Sequence, residues 1–408
     1  MNSSTYYVID PPALQVLLKS LRQHGYDLVG PTIRDNAVVY GEITNVEDMP
    51  VGWGDEQEAG KYRLRKRNDK MIFGFNLGPQ SWKKYLFPSA LRLLTSVRTK
   101  DGLVFGEAGS DGTGSQAGEA SGARSQRFAF IGVRPCELQA ILVQDKVLAG
   151  GQDTDPYYAS LRSKAFIVAV NCAQAAATCF CTSMNTGPRA DNGFDLSLTE
   201  VMNESLHYFL VQVGSRTGEE IMGELPHREA VKSNKDDAAR VVERTAASMK
   251  RKMDTTDVKS LLQGNPEHPR WSEVATRCLA CANCTMVCPT CFCHTVQDTT
   301  DLTGAHAERW RKWDSCFTTD FSYIHGGSIR VSTKSRYRQW LTHKLANWFD
   351  QFGMSGCVGC GRCIAWCPVG IDITEEVAAL RKTPPALHAG KTTSPTTTKT
   401  EAKTHGDA

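Results

Sequence analysis

The stretch CLACANCTMVCPTCFC, residues 278 to 293, places six cysteines in sixteen positions of the chain. Its first four cysteines follow the spacing Cys-x2-Cys-x2-Cys-x3-Cys-Pro. The same spacing, again followed by proline, recurs in CVGCGRCIAWCP at residues 357 to 368. Two copies of so regular a pattern require a common chemical explanation.

This spacing is that of the bacterial [4Fe–4S] run, in which three cysteines bind one cluster and the fourth binds the other. We therefore expect two clusters with crossed ligands. The first cluster takes Cys278, Cys281, Cys284 and Cys367. The second takes Cys357, Cys360, Cys363 and Cys288. Small residues between the cysteines leave room for backbone N–H groups to approach the sulfurs: Ala280, Ala282, Gly359 and Gly361. Structural zinc is the main alternative, but such sites typically use two separated cysteine pairs.

Composition limits the class of protein. The 408 residues contain 47 Lys and Arg against 44 Asp and Glu, a net charge of only +3, so neither nucleic-acid binding nor membrane-surface binding is expected. No run of about 18 apolar residues predicts a membrane-spanning helix. The first residues, MNSSTYYVIDPP, lack the features of a signal peptide, and we expect a cytoplasmic protein. In that reducing compartment fifteen cysteines are not expected to form disulfides.

Residues 127 to 172 predict a strand–helix–strand unit. RFAFIGVRPC and AFIVAVNC are short apolar runs typical of buried strands, and ELQAILVQDKVLAG between them has helical periodicity. Such a unit makes its two strands parallel. Cys136 and Cys172 would then lie past the carboxyl ends of neighbouring strands, the edge where open α/β sheets place their sites.

Two further cysteines, Cys179 and Cys181, follow in the same loop as Cys172. With Cys136 they make four thiols, the number that a cubane requires, and we expect a third [4Fe–4S] cluster here. Buried unligated thiols, zinc and a redox thiol pair are the alternatives. Cys291, Cys293 and Cys316 remain; we expect them to be buried structural residues, with His294 on the surface or in a capping role rather than a ligand.

The predicted fold is an α/β domain with a small mixed or parallel sheet, followed by an α-helical two-cluster bacterial-type ferredoxin domain. We place the first domain at residues 1–264, with a flexible Gly/Ser-rich insertion at 106–126. The ferredoxin-type domain covers 265–382 and contains a mostly helical insertion at 294–350. Residues 383–408 are rich in Thr and Lys, and we expect them to be disordered.

The ordered motifs resemble an iron–sulfur protein family. GVRPCELQAI, DPYY, GFDLSLTE, WDSCF and the two cysteine runs are similar to the beta subunit of NADP-linked [NiFe] hydrogenases (sulfhydrogenases) and to the iron–sulfur electron-transfer subunit of anaerobic sulfite reductase. The resemblance covers roughly residues 10 to 380. It implies an electron-transfer subunit between a flavin subunit that handles NAD(P)H and a terminal hydrogenase or reductase subunit.

No dinucleotide-binding fingerprint or second set of catalytic residues is apparent, so the chain is interpreted as a non-catalytic electron-transfer subunit. The complex to which it belongs is expected to be a [NiFe] hydrogenase. Sulfite reductase is the nearest alternative. A self-sufficient iron–sulfur enzyme acting through the Cys136 site, and a non-redox scaffold or metal-dependent regulator, are further alternatives.

Overall fold

A computed structural model describes residues 5–76, 78–107 and 126–382. Most of the predicted insertion at 106–126 and all of the tail at 383–408 lie outside these ranges. The strands, in chain order, are β1 (Tyr6–Ile9), β2 (Asp27–Arg34), β3 (Ala37–Glu42), β4 (Trp53–Glu58), β5 (Lys61–Lys66), β6 (Ala90–Thr99), β7 (Gly102–Glu107), β8 (Phe128–Val133), β9 (Phe166–Val170), β10 (Leu196–Met202), β11 (His207–Val213), β12 (Arg228–Glu229), β13 (His294–Thr300), β14 (His306–Trp313), β15 (Tyr323–Ile324) and β16 (Gly327–Ser328).

The helices connect and cover these strands. In chain order they are α1 (Pro11–Gln23), α2 (Lys83–Leu86), α3 (Pro135–Leu148), α4 (Pro156–Arg162), α5 (Arg216–Met222), α6 (Lys232–Ser248), α7 (Val258–Gln263), α8 (Arg270–Arg277), α9 (Asn283–Met286), α10 (Thr333–Thr342), α11 (Trp348–Phe352), α12 (Arg362–Ala365) and α13 (Ile373–Lys382). A π-helical turn, His343–Asn347, joins α10 to α11.

The N-terminal half forms an α/β structure around an eight-stranded mixed sheet of order β12-β1-β11-β10-β9-β8-β2-β3. Its central strands β2, β8, β9 and β10 are parallel, and the outer pairs are antiparallel. The predicted strand–helix–strand unit is present as β8, α3 and β9, with β8 and β9 paired in parallel. The prediction allowed a mixed or a parallel sheet, and the sheet is mixed. It is larger than the small sheet expected, because short edge strands that are far apart in the sequence extend it.

Both faces of this sheet are covered by apolar helices. On one face α1 contributes Leu14, Leu17, Leu18 and Leu21 to the core, all fully buried. On the other face α3 and α4 pack against Phe130 and Ile167. Because every residue of β8 and of β9 is buried, these strands read as continuous apolar runs in the sequence. Their carboxyl ends are thereby held rigidly at one sheet edge.

The predicted mostly helical insertion at 294–350 requires a correction over its first part. Residues His294–Thr300 and His306–Trp313 form a hairpin, and β14 pairs with β6 in a four-stranded sheet of order β13-β14-β6-β7. The partner strand lies about two hundred positions upstream, so local sequence carried no signal of the pairing. Helices appear only later in the segment, in α10, the π-helical turn and α11.

The cysteine-rich half has its own apolar core. Trp271, Phe317, Tyr337, Trp340 and Leu341 are buried there against residues of α12 and α13. Cys357 belongs to this core, and five partly buried cysteines pack against it: Cys278, Cys284, Cys316, Cys363 and Cys367. Both cysteine loops therefore pack against this core.

Candidate metal centres

The two repeated cysteine loops have the same backbone conformation. The second and fourth residues after the first cysteine of each run have positive φ: Ala280 (50°), Ala282 (65°), Gly359 (63°) and Gly361 (75°). A single helical turn, α9 or α12, begins at the next residue in each copy. Each loop thus curls around a common centre, and the sequence repeat is a structural repeat.

Backbone N–H groups approach the sulfurs within these loops, as expected from the small residues between the cysteines. Ala280 N–H donates to Cys278 Sγ at 3.4 Å, and Gly359 N–H donates to Cys357 Sγ at 3.5 Å. Such bonds stabilise anionic sulfur and influence the potential of a bound cluster. The donor set fits an iron–sulfur group.

Site 1 comprises the thiols of Cys278, Cys281, Cys284 and Cys367, and these line one small cavity together with apolar side chains. Burial, followed by the neighbouring thiols, raises the pKa of Cys284 well above its ordinary value. Ile371 N–H donates to Cys367 Sγ at 3.3 Å. Crowded buried thiols of this kind become thiolates when a metal supplies positive charge.

Site 2 comprises Cys357, Cys360, Cys363 and Cys288. The pKa of Cys363 is raised well above its ordinary value by burial and then by the other three thiols, which therefore lie within electrostatic range of it. The fourth member, Cys288, is buried and accepts from the Lys344 ammonium at 3.3 Å. The crossed arrangement expected from the sequence brings Cys288 and Cys367 to opposite sites.

Site 3 lies at the carboxyl edge of the large sheet. Cys136 is the second residue of α3, directly after β8, and Cys172 is two residues beyond β9. Burial is the main cause of a raised pKa for Cys136, and Cys181 and Cys172 add to it. Burial and then Cys172 raise the pKa of Cys179 to about 12. The structure therefore brings all four sequence-predicted thiols of this site together.

Sites 2 and 3 adjoin because the site 2 loop packs on the loop of site 3. Phe180 N–H donates to Gly359 O at 2.9 Å. A Cβ at Gly359 would lie 2.7 Å from the backbone of Cys181, and one at Gly361 would lie 2.3 Å from Thr178 O. Cys360 raises the pKa of Cys136 and Cys181, as expected of neighbouring thiols. Only glycine permits so close an approach.

Sites 1 and 2 are also neighbours, since Cys284 of site 1 contributes to the raised pKa of Cys363 of site 2. Within residues 5–76, 78–107 and 126–382, no three or more His, Cys, Asp or Glu side chains are close enough to hold one metal ion. The thiols of site 1 share one cavity, and those of sites 2 and 3 are grouped by their mutual electrostatic effects.

The three remaining cysteines lie near sites 1 and 2: Cys291 contacts Cys288 of site 2, and Cys316 is within electrostatic range of Cys284 of site 1. The Cys291 thiol donates to Cys288, which raises the pKa of Cys291 well above its ordinary value. Hydrogen bonds from the Cys316 thiol, and also from its backbone N–H, lower the pKa of Cys293 to about 7. His294 is exposed, and its Nδ1 contacts the Phe292 carbonyl oxygen at 3.1 Å. The sequence interpretation did not anticipate the two thiol pairs.

Buried charges around the sites were also missed by sequence reasoning. Arg362 and Glu137 form an ion pair at 2.6 Å with both side chains 1% exposed. Glu137 follows Cys136 of site 3, and Arg362 lies between two cysteines of site 2. Lys344 is 5% exposed in the π-helical turn. Polar residues within helical periodicity are ordinarily read as solvent-facing, so no local signal identified them.

Comparison with known proteins places the chain first in a class and then in a family. Residues 277–371 match a family model described as a 4Fe-4S dicluster domain. The chain is also 32% identical to the sulfhydrogenase 2 subunit beta of Pyrococcus furiosus over 259 residues, covering 63% of this chain and 75% of that protein. The protein is therefore an iron–sulfur electron-transfer protein with at least two [4Fe–4S] clusters. It belongs to the sulfhydrogenase beta-subunit family, as the resemblance implied.

No helix in the part of the chain that the structure describes is long and apolar enough to cross a membrane.

Proposed function

We propose that this chain is the relay subunit of a multi-subunit hydrogenase, carrying electrons between a flavin subunit that handles NAD(P)H and a terminal hydrogenase subunit. The observation that supports this most directly is the contiguity of the three thiol sites. Cys360 interacts electrostatically with site 3, and Cys284 interacts with site 2. Three adjoining centres make a path through the protein rather than isolated structural metals.

Each site would hold one [4Fe–4S] cluster, which supplies one-electron transfer when bound. The proposed ligands are those grouped above: Cys278, Cys281, Cys284 and Cys367 in site 1, Cys357, Cys360, Cys363 and Cys288 in site 2, and Cys136, Cys172, Cys179 and Cys181 in site 3. Four thiolates occupy every iron corner of a cubane. With no open iron position in such a site, a relay role is better supported than catalysis on a substrate.

The path has one end at the surface. Cys281 is the one exposed thiol among the fifteen cysteines, all of which the structure describes. Leu279 beside it is 63% exposed, and Val369 on the opposite loop is 38% exposed. Exposed apolar side chains around a ligand of site 1 suit a partner protein that docks there and exchanges electrons with it. Sites 2 and 3 are more deeply buried.

Iron analysis of anaerobically purified protein tests the number of sites. About twelve irons per chain are expected for three [4Fe–4S] clusters, and about eight would eliminate the third. In Cys136→Ser the count should fall by about four. Cys316→Ser is the matched control: its thiol lies outside the three groups, so the iron content should remain that of the wild type.

Co-purification from the native host tests the partners. A nickel-containing partner together with a flavin subunit supports the hydrogenase assignment. A partner containing sirohaem would instead identify the complex as a sulfite reductase. Isolation of an active single chain would contradict the relay role.

A further inference from the structure

Lys344 is a buried lysine whose ammonium group points at a sulfur of site 2. Its Nζ donates to Cys288 Sγ at 3.3 Å, to Thr290 Oγ1 at 2.9 Å and to Gly356 O at 3.0 Å. The side chain is 5% exposed. Three acceptors surround the group, which is the number that a charged ammonium, with three N–H donors, requires.

No carboxylate among the described residues balances the charge of Lys344. Within the described residues no Asp or Glu forms an ion pair with Lys344, whereas the buried Arg362 is neutralised by Glu137 at 2.6 Å. Thr290 Oγ1 and Gly356 O are neutral acceptors. The one acceptor that becomes anionic on metal binding is Cys288 Sγ. A buried uncompensated cation is costly, so its counter-charge belongs to the site itself.

The backbone holds this contact in place. Lys344 lies in the π-helical turn His343–Asn347, and Gly356 N–H donates back to Lys344 O at 2.8 Å. Thr290 Oγ1 also donates to Gly356 O at 2.6 Å. The π-helical turn and the residue before the site 2 loop are therefore bound together, with the ammonium between them. π-helical turns within helices are frequent at functional sites.

We propose that Lys344 is the positioning residue that raises the reduction potential of the cluster in site 2. This inference rests on the proposed function, specifically on Cys288 as a ligand of that cluster. Reduction adds one electron and no proton, so the site becomes more negative by one charge. An ammonium at 3.3 Å in a buried environment favours the more negative state. Loss of the charge should make the cluster harder to reduce.

The test compares Lys344→Gln with Lys344→Arg in the full-length, anaerobically loaded protein. The Gln variant keeps two donors but removes the charge, whereas the Arg variant keeps the charge. EPR-monitored redox titration should show one signal shifted to lower potential in the Gln variant. At fixed solution potential its ratio of reduced to oxidised cluster should fall at least tenfold, equivalent to ~59 mV for one electron. The Arg variant should stay closer to the wild type than the Gln variant.

Two controls locate the effect. Lys259→Met removes a partly exposed lysine from the neighbouring α7 and should leave every potential unchanged. Cys357→Ser should alter the same EPR signal that Lys344→Gln shifts, which identifies that signal as site 2.

The outcomes separate the two hypotheses. Full iron content with unchanged potentials in Lys344→Gln would overturn the inference while leaving the relay intact. A shift of equal size in Lys344→Arg would also overturn it, because charge would then not be the cause. Absence of iron in the wild-type protein would instead defeat the proposed function itself. If Lys344→Gln does not fold, Lys344→Met with Lys344→Arg provides the same charge comparison.

Discussion

Gly359 and Gly361 matter both for the shape of the site 2 loop and for its packing against the loop of site 3. Their positive φ values let the loop curl so that the Gly359 N–H reaches Cys357 Sγ. Their missing side chains let the same loop pack on the backbone of residues 178–181. Ala280 and Ala282 hold the same φ region in the other loop, where a Cβ is present at both positions. In the site 2 loop, one pair of positions thus serves both chemistry and packing.

Substitution of Gly359 by alanine should destabilise the protein by about 3 kcal/mol, because left-handed strain adds to a clash with the Cys181 backbone. Gly353→Ala is the matched control, since Gly353 has φ of 71° but nothing within 4 Å of its Cβ position. The control should lose about 1 kcal/mol, from strain alone. Thermal unfolding midpoints and iron content check this. Equal midpoints for the two variants would show that the contact with the Cys181 loop is unimportant.

At the scale of elements, the β13–β14 hairpin links the cysteine-rich half to β6 of the N-terminal half. Cys293 precedes β13, and Asp314 N–H, just after β14, donates to the Cys293 carbonyl oxygen at 2.9 Å. Cys316 lies two residues further on, and its thiol donates to the Cys293 sulfur. The base of the hairpin is thereby closed, with Cys316 within electrostatic range of Cys284 of site 1.

Because hydrogen bonds from Cys316 lower the pKa of Cys293 to about 7, Cys293 should be alkylated as a thiolate near neutral pH. Its rate with iodoacetamide should be low below pH 7 and should rise with a midpoint near 7. The Cys316→Ala variant loses the thiol that donates a hydrogen bond to the Cys293 sulfur. The pH midpoint of Cys293 alkylation should therefore move upward, toward that of an ordinary thiol. Site-resolved mass spectrometry over a pH series measures both profiles. A wild-type midpoint near 9 would contradict the assigned hydrogen bonds.

At the scale of the whole molecule, a buried network of hydrogen bonds and one ion pair joins the sheet domain to the cysteine-rich half. Arg362 donates to Glu137 and to the carbonyl oxygens of Gly78 and Gln80. Tyr40 Oη and Trp82 Nε1 both donate to Glu137, at 2.5 and 3.2 Å. This network lies between sites 2 and 3. It therefore positions the two sites relative to each other as well as joining the two halves.

Glu137→Gln should cost about 3–5 kcal/mol of stability, because it leaves the Arg362 guanidinium buried without its anionic partner. Glu56→Gln removes one partner of a surface ion pair with Arg65, both side chains more than half exposed, and should change stability by about 1 kcal/mol or less. Chemical denaturation of the loaded proteins, under anaerobic conditions, compares them. If the Glu137→Gln protein were as stable as the Glu56→Gln protein, the Arg362–Glu137 ion pair would have no structural role.

The local features of the fold were predictable because they depend on neighbours in sequence. The β8–α3–β9 unit appears as apolar runs flanking a helical pattern, and Pro135 starts α3 as a proline at the first helical position commonly does. The β13–β14 hairpin departs from the predicted helical insertion because its stabilising partner, β6, is distant in the chain. Strand pairing over such separations has little local signature.

The amino-acid sequence alone predicted the thiol sets of sites 1 and 2, because three ligands of each cluster follow a short fixed spacing within one loop and the fourth comes from the matching loop. It also determined that Cys136 and Cys172 share a sheet edge, since parallel strands end on the same side. Only the tertiary structure decided that three thiol groups adjoin, that Lys344 faces Cys288 and that Arg362 meets Glu137. These arrangements join residues 56 to 225 positions apart, and which side chains meet across such distances is set by packing of the whole chain.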